Sequence, residues 1–505
     1  MSRINTNVNS LIAQRVLGQN NSALTKSLER LSTGYRINRG GDDPAGLIAS
    51  EKLRSEQRSL TTAISNAERA DQVVNIIEGG LQEISNLLLE VQSLVGQNGS
   101  EGGLSTSEKE ANQLQVDQIV QSIDRIAGTT SFNGTKLLNG RQDFVVDNVN
   151  AHISDFTVFG AKLPRGSSVA VETLITQSAQ HGGFFLNLTA AVVNTGGDSS
   201  TERFTFELAG ANGTREFTFA SGTAIASVTT AINQFTEVTG VSAVTSGNFV
   251  ELKSDEFGSD AFVTVEVKNS PAGLVGTLDT QNATNEALAV AGTAFNALTE
   301  AEKDTGANVG AIINGVTARG NGLIASVSRD ALDLSITLDA DDTVAGAHAQ
   351  ELGSFTALEV ESGGATFNLG PEVNIGNQVR LGVANIAARN LGSQTLGFVD
   401  ELGAGQTFNI ITGNLDTAQK IVTAAIDEVS NLRGRIGAFQ ANVVQSSLRS
   451  LAISLENTQA AESAIRDTDF AAETARLTRN QILVQAASSA LGIANAQPQS
   501  VLGLL

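Results

Sequence analysis

A long heptad pattern near the N-terminus decides the fold. Residues 53–95 read LRSEQRSLTTAISNAERADQVVNIIEGGLQEISNLLLEVQSLV. Steps of seven meet an apolar residue every time, at Leu53, Leu60, Ala67, Val74, Leu81, Leu88 and Val95. Three residues further on stand Glu56, Ala63, Ala70, Ile77, Ile84 and Val91, of which only Glu56 is polar. Such spacing predicts a long helix with a narrow apolar seam for partner helices.

This helix has a clear predicted start. Asp43 can accept hydrogen bonds from free amides, and Pro44 suits the first helical position, where no N–H is needed. Gly79 and Gly80 interrupt the pattern, and we expect the helix to tolerate both.

The C-terminal part of the chain repeats the pattern. Steps of seven give Ala418, Ala425, Leu432, Phe439, Ser446 and Ile453, and four residues further on stand Val422, Val429, Ile436 and Val443. A shorter helix is predicted from about Ser107 to Ala127, with one apolar stripe formed by Val116, Val120, Ile123 and Ala127. We expect these helices to pack as one antiparallel rod, although separate amphipathic helices on globular cores would give a similar pattern. The expected rod core is Leu53, Leu60, Val74, Leu81, Leu88, Val91, Leu432, Phe439 and Val443.

The middle of the chain differs in composition from both ends. It is rich in Gly, Thr, Ser, Val and Phe, and turn signals recur about every ten residues. Residues 332–338 alternate strictly, as a strand does, and residues 365–382 suggest a hairpin. The predicted fold class is therefore α plus β and multidomain, with a coiled-coil rod built from both termini that carries β-rich inserted outer domains.

Composition excludes several classes of function. The 505 residues carry a net charge of −21, which disfavours binding to nucleic acid or to an anionic membrane surface. There is no cysteine, so disulfides and zinc–thiolate sites are excluded, and the three histidines have no ligand-like spacing. No stretch approaches the roughly 18 apolar residues of a membrane helix. The N-terminus does not resemble a cleavable signal peptide, so these rules alone would predict a cytoplasmic protein.

Both chain ends have too few bulky residues to support a helix alone. Residues 1–35 contain a polar gap at 18–22, and residues 461–497 consist mostly of Ala, Ser and Gln. Most helical stability comes from packing, so such ends should become ordered only against other copies of the chain. A tail that folds on one dedicated partner would look similar.

Four segments resemble the signatures of one family, the bacterial flagellins. They are residues 31–47 (LSTGYRINRGGDDPAGL), 131–138 (SFNGTKLL), 461–471 (AESAIRDTDFA) and 494–505 (ANAQPQSVLGLL). In addition, residues 203–268 resemble the hook IN module found in flagellins and filament cap proteins.

The resemblance implies a domain division and a function. Residues 1–40 and 461–505 would form an inner coiled coil (D0), and residues 41–145 and 365–460 a helical rod domain with a β-hairpin (D1). Residues 146–364 would be the variable outer insertion (D2/D3). The chain would self-assemble into the flagellar filament for swimming motility after export by the flagellar type III route, which corrects the cytoplasmic prediction. Expected partners are other copies, hook-associated junction and cap proteins, and an export chaperone.

Two groups of residues are candidates for contacts between subunits. The charged group flanks the turn between inner and outer rod and consists of Arg30, Arg36, Asp42, Asp43, Glu51 and Arg54. Its members could equally be helix caps and solvated charges. The C-terminal group consists of Ile465, Phe470, Leu477, Ile482, Leu483, Leu491, Leu502 and Leu505.

One stretch departs from the family pattern. In many flagellins, arginines on the heptad helix are recognised by Toll-like receptor 5. The matching patch here is Leu88, Glu90, Gln92 and Leu94, with an acid and an amide in place of the arginines. This charge change argues against recognition by that receptor.

No catalytic, cofactor-binding or metal-binding site is predicted. A metalloprotease insertion would need two histidines four residues apart on a helix, and no such pair exists. The acidic run at residues 339–342 lacks the glycine and distal glutamate of a calcium loop. The alternatives to a filament subunit are a hook–filament junction protein, or an adhesin whose insertion binds glycans.

Overall fold

The computed structural model describes residues 6–100, 103–163, 167–188, 193, 203–269, 277–282, 285–298, 300–329, 331–340, 352–394 and 396–502. It contains eight α-helices in these ranges: α1 Val8–Thr33, α2 Pro44–Asn98, α3 Thr106–Thr129, α4 Ile225–Asn233, α5 Thr236–Thr239, α6 Leu415–Phe439, α7 Gln445–Arg466 and α8 Phe470–Leu502. A π turn, Gln440–Val444, joins α6 to α7. None of the described helices is long and apolar enough to cross a membrane.

The strands lie between α3 and α6. The first part comprises β1 Ser131–Phe132, β2 Thr135–Lys136, β3 Asn139–Gln142, β4 Phe144–Asp147, β5 Ile153–Ala161, β6 Val169–Gln177, β7 Gly183–Asn187, β8 Arg203–Ala209, β9 Thr214–Ala220, β10 Val241–Ser246, β11 Phe249–Ser254, β12 Phe262–Asn269 and β13 Thr277–Asn282. The second part comprises β14 Asn285–Ala294, β15 Glu302–Thr305, β16 Gly310–Ile313, β17 Val316–Thr317, β18 Arg319–Asn321, β19 Ile324–Ser328, β20 Leu332–Leu338, β21 Gly353–Gly363, β22 Ala365–Asn368, β23 Gln378–Leu381, β24 Val383–Asn385, β25 Gly392–Ser393 and β26 Gly397–Phe398. Long helices from both termini with a β-rich middle confirm the α plus β fold class.

The chain forms two compact units. Among the described residues, the first unit holds 6–72, 367–377 and 438–502, and the second holds 73–366 and 378–437. In the first unit, α1 runs antiparallel to α8. The early part of α2 packs on α7 through Leu60, Ala63 and Leu451. Gln57 donates to the Thr458 carbonyl at 3.3 Å.

In the second unit, the later part of α2 is buried along its predicted seam. Val74, Leu81, Leu88 and Val91 are fully buried, as is the predicted stripe of α3. A polar ladder on α3 fixes the irregular chain before α6. Gln113 accepts from the Ile410 amide at 2.9 Å, and Asp124 accepts from the Ala388 amide at 2.9 Å. These contacts explain how a segment with little regular structure is held against the helices.

The inserted strands surround two separate cores. The first core lies between the sheets β10-β11-β7-β13-β14 and β15-β12-β8-β9, with α4 over it. It contains Phe206 stacked on Phe217 and tilted against Phe204. Ile225, Val228 and Ile232 are the residues of α4 that are buried in this core. The second core lies between β17-β16-β6-β21-β4 and β18-β19-β20-β5. We call the domain around the first core the module and the domain around the second core the sandwich.

The heptad register predicted for the C-terminal helices does not hold beyond Phe439. Buried residues follow the seam to Ile436, but the next are Val444, Leu451 and Thr458, each one position later than predicted. Phe439 and Val443 are only half-buried, and Ile453 is 59% exposed. The π turn adds one residue to the helix and thereby shifts the seam. Leu53, at the start of the predicted core, is also only half-buried.

Candidate assembly interface

The most buried side chains between α1 and α8 are small or polar. Ser10 and Ser27 are buried on α1, and Ala487 and Ala494 are buried on α8. The Ser10 hydroxyl donates to Asn495 Oδ1 at 2.7 Å, and other asparagine side chains also join the two helices. Asn7 Nδ2 donates to the Ala494 carbonyl at 2.7 Å, Asn20 Nδ2 to the Leu483 carbonyl at 3.3 Å, and Asn480 Nδ2 to Ser27 Oγ at 3.2 Å. These bonds fix the register of the pair, but burying such small groups contributes little hydrophobic stabilisation.

Many of the bulky apolar side chains of this pair are exposed. On α8, Ile493 is 71% exposed, Ile482 is 64% exposed and Phe470 is 55% exposed. On α1, the large apolar residues that are exposed are Val8, Leu11, Ile12, Val16 and Leu28. A helix normally buries its bulky apolar residues. Because the most buried positions here are small or polar and many bulky residues are exposed, we call this the inverted pair. An exposed apolar surface of this kind marks a contact site for another molecule.

The remaining C-terminal candidates divide by exposure. Leu483 is exposed like Ile482, whereas Ile465, Leu477 and Leu491 are half-buried. Leu502 ends α8, with a side chain outside the described set, and Leu505 lies outside the described residues.

The six charged candidates all have partners within the chain. Three ion pairs join a guanidinium nitrogen to a carboxylate oxygen: Arg30 to Glu473 at 3.9 Å, Arg36 to Asp43 at 3.6 Å, and Arg54 to Glu51 at 2.8 Å. Asp43 also accepts from the Gly46 amide at 2.9 Å, as expected for the residue that precedes α2. The candidates are therefore capping and intrachain ion-pair residues in the free subunit, and a contact with another subunit stays a prediction.

Asp42 does not cap a helix, contrary to the sequence-based interpretation. Its carboxylate accepts from the amides of Asn38 at 3.3 Å and Arg39 at 3.1 Å, which closes the loop before α2. The Arg39 amide is also the main reason why the pKa of Asp42 lies below its ordinary value, and Lys26 adds to the effect.

Two charged residues at this junction were not singled out from the sequence. Glu473 is almost fully buried between Arg30 and Arg476, with 3.2 Å to the latter. The Arg466 guanidinium lies 4.7 Å from the centre of the Tyr35 ring and 3.4 Å from Glu51. The Arg36 amide donates to the Arg466 carbonyl at 2.7 Å, so the loop after α1 is joined to the end of α7.

The stretch that corresponds to the receptor patch is mostly core. Leu88 and Leu94 are buried, Gln92 is half-buried, and Glu90 is exposed. A receptor would therefore meet Glu90 and part of Gln92 rather than the leucines. Across the described ranges, no group of three or more histidine, aspartate or glutamate side chains is placed to hold a metal ion. Part of the acidic run at 339–342 lies outside those ranges.

Three family models match the chain in the order that the fold requires. The bacterial flagellin N-terminal helical region matches residues 4–143, the flagellin hook IN motif matches 203–256, and the bacterial flagellin C-terminal helical region matches 419–505. Together they account for more than half of the chain. The chain belongs to the bacterial flagellin family.

Curated flagellins align along the whole chain. A flagellin of Salmonella muenchen is 28% identical over 99% of both chains, and flagellin A of Helicobacter pylori is 27% identical over 100% of this chain and 99% of its own. Flagellin FlaB1 of Treponema pallidum is 41% identical over 27% of this chain and 48% of its own.

Solved structures of low similarity accompany these matches. FliC from Burkholderia pseudomallei is 16% identical, with a TM-score of 0.23 over 75% of this chain and 99% of its own. The D1-D2-D3 domains of the flagellar cap protein FliD from Escherichia coli are 11% identical, with a TM-score of 0.27 over 67% of this chain and 95% of theirs.

The seam that joins the terminal helices of this flagellin does have a signal in the sequence. Steps of seven from Glu473 reach Asn480, Ala487 and Ala494, which are buried or half-buried, and the half-buried Leu477, Val484 and Leu491 repeat with the same step. A search for bulky apolar residues overlooks the first of these two repeats, because its members are small or polar. Recognising it would also have predicted that Ile482 and Ile493 face outwards.

Proposed function

We propose that this flagellin is the subunit of a bacterial flagellar filament, and that it joins other copies through the terminal helix pair. The observation that carries the proposal is the inverted pair, whose small and polar side chains join α1 to α8 while many of its bulky apolar residues remain exposed. Such a pair gains most of its hydrophobic stabilisation only when other copies cover it. The role is structural, and no catalytic step is assigned to any residue.

We further propose the details that the family likeness implies. The chain would leave the cell by the flagellar type III route and act outside it, with an export chaperone and the hook-associated junction and cap proteins as partners. Residues 1–40 and 461–505 would form the innermost layer, 41–145 and 365–460 the rod, and 146–364 the outer insertion. With an acidic exposed Glu90 in the corresponding patch, we do not expect recognition by Toll-like receptor 5.

Of the alternatives, neither a hook–filament junction protein nor an adhesin is favoured. The matched family models describe flagellin regions, and the relatives that align along the whole chain are flagellins.

Seeded growth of fibres tests the proposal. Monomer prepared by heat dissociation should extend fibre seeds into long filaments visible by electron microscopy. Ile482→Ser combined with Ile493→Ser should raise the monomer concentration needed for growth or abolish it, because it removes exposed apolar surface without touching the α1–α8 seam.

Leu352→Ser is the matched control, because Leu352 is equally exposed but lies in the insertion. Circular dichroism of the monomers checks that helix content is unchanged. Wild-type protein that never extends seeds would contradict the filament assignment. Normal growth of the double variant would contradict the role given to the terminal pair.

A further inference from the structure

One side of α6 contacts both inserted domains through cationic side chains. Lys420 Nζ lies 2.8 Å from each carboxylate oxygen of Glu237, which belongs to α5 of the module. Arg435 Nη1 lies 3.2 Å from Asp333 Oδ1 in β20 of the sandwich. The Arg435 guanidinium also lies 3.3 Å from the centre of the Phe159 ring in β5, a cation–π contact.

The spacing of these two contacts gives them a joint effect. Lys420 and Arg435 are separated by just over four helical turns, about 22 Å along the axis, so they lie on similar sides of α6. A single contact would let the inserted domains rotate about that contact, whereas two separated contacts fix the angle between these domains and the axis of α6. We propose that Lys420 and Arg435 form a two-point brace, which fixes the tilt of the inserted domains against α6.

The brace requires the two inserted domains to move as one body, and their junction is tight. Asn308 Oδ1 accepts from the Ser259 amide of the module at 3.0 Å and from the Gly322 amide of the sandwich at 2.9 Å. A Cβ atom on Gly258, whose φ is +113°, would come within 2.9 Å of Gly322 Cα. The backbones therefore touch at a place where only glycine fits, and the two contacts on α6 act on the same body.

The energetics of the brace make it sensitive to salt. All four ionised groups are partly exposed, and pairs of this kind contribute about 0–1 kcal/mol each. That is too little to hold a fold, but enough to favour one orientation of a body already connected by the chain. High salt screens such pairs, so the tilt should loosen as the ionic strength rises.

Distance measurements on the full-length monomer test the brace directly. The chain has no cysteine, so two introduced cysteines can be spin-labelled specifically. Asn431→Cys places one label on α6, and Ser246→Cys places the other at the exposed end of β10 in the module. Pulsed electron paramagnetic resonance should give one narrow distance distribution in low salt and a broader one in 1 M salt. Lys420→Glu and Arg435→Glu should each broaden it in low salt.

A charge swap separates loss of the brace from loss of the fold. Lys420→Glu combined with Glu237→Lys and Asp416→Asn should restore the narrow distribution, because the pair is re-formed with its charges exchanged. The third change is needed because Asp416 lies 3.2 Å from Lys420 on α6 and would repel the new glutamate. Lys52→Glu is the matched control: it makes the same charge change at an exposed position of α2 and should leave the distribution narrow. An unchanged distribution in both single variants would overturn the proposal, as would a charge swap that stays as broad as Lys420→Glu.

Discussion

Gly79 and Gly80 are adjacent in α2 but have different surroundings. An added Cβ meets nothing within 4 Å at Gly79, whereas at Gly80 it would lie 2.7 Å from Leu138 Cδ1 and 3.3 Å from Thr130 Oγ1. Leu138 is fully buried, so it has little room to move. Gly80 is therefore needed for close packing and is not merely tolerated by the helix, as its sequence context suggested.

This difference predicts opposite effects of the same substitution. Gly79→Ala should stabilise the protein by up to about 1 kcal/mol, because alanine has the higher helix propensity. Gly80→Ala should destabilise it, because the clash with Leu138 outweighs that gain. Urea unfolding of the two variants followed by circular dichroism measures both effects. Equal stabilisation by both would show that Leu138 is free to rearrange.

Glu428 is a residue whose ionisation opposes folding. It lies largely buried on α6, and burial raises its pKa to about 7, despite a hydrogen bond from the Gly392 amide. The nearby Asp155 carboxylate adds to the increase. Since the folded state binds this proton more tightly than the unfolded state, the group's contribution to stability falls as the pH rises from about 4.5 to about 7.

Replacing this carboxyl should remove that pH dependence. Glu428→Gln should raise the free energy of unfolding by about 1–3 kcal/mol at pH 8 and change it little at pH 4, where the carboxyl is protonated in both states. Asp427→Asn, on the exposed side of α6, is the control and should give no such gain. Denaturant unfolding at both pH values measures the effect. A stabilisation by Glu428→Gln that is the same at both would contradict the assigned ionisation.

At the scale of a secondary-structure element, the π turn between α6 and α7 is a one-residue insertion in a helix. It allows Val444, Leu451 and Thr458 to face the core although they stand one residue late in the heptad pattern. Deleting one residue here should convert the π turn to α-helix and leave the later residues on the same side.

Two single-residue deletions test this interpretation. Deletion of the exposed Ala441 should change hydrogen exchange in α7 only slightly. Deletion of the exposed Ala452 should increase exchange throughout α7, because it rotates either the residues before it or those after it away from the core. Comparable damage from both deletions would show that the π turn is not a register insertion.

The same elements explain which parts of the fold the sequence predicts. The core of α2 is predictable because its seam is apolar at nearly every heptad position. The π turn is not predictable, because one extra residue changes neither the helix propensity of the segment nor the apolar pattern on either side of it. The most buried positions of the α1–α8 seam are not predictable from hydrophobicity, because Ser10, Ala487 and Ala494 are small or polar. Some intrachain partners of the charged candidates, such as Glu473 for Arg30 and Arg466 for Glu51, are more than 400 positions away, and no local pattern reports them.

At the scale of the whole molecule, assembly and folding of the outer domains depend on different residues. The second unit contains both inserted cores and includes no residue beyond 437. Deletion of residues 461–505 should therefore abolish fibre growth while the inserted domains still unfold cooperatively. Scanning calorimetry of the truncated chain, with electron microscopy for fibres, measures both properties. Long fibres from the truncated chain would contradict the assembly role of α8.

The inverted helix pair also limits how the free subunit can be handled. Exposed apolar side chains such as Ile493 associate with any other apolar surface as well as with the correct subunit. Unassembled protein should therefore aggregate above a threshold concentration. The asparagine and serine contacts that set the pair's alignment do nothing to prevent this, because they lie on the hidden side. A cell that makes many copies therefore has to pass each subunit to the growing filament quickly, or keep this exposed apolar surface covered until the subunit assembles.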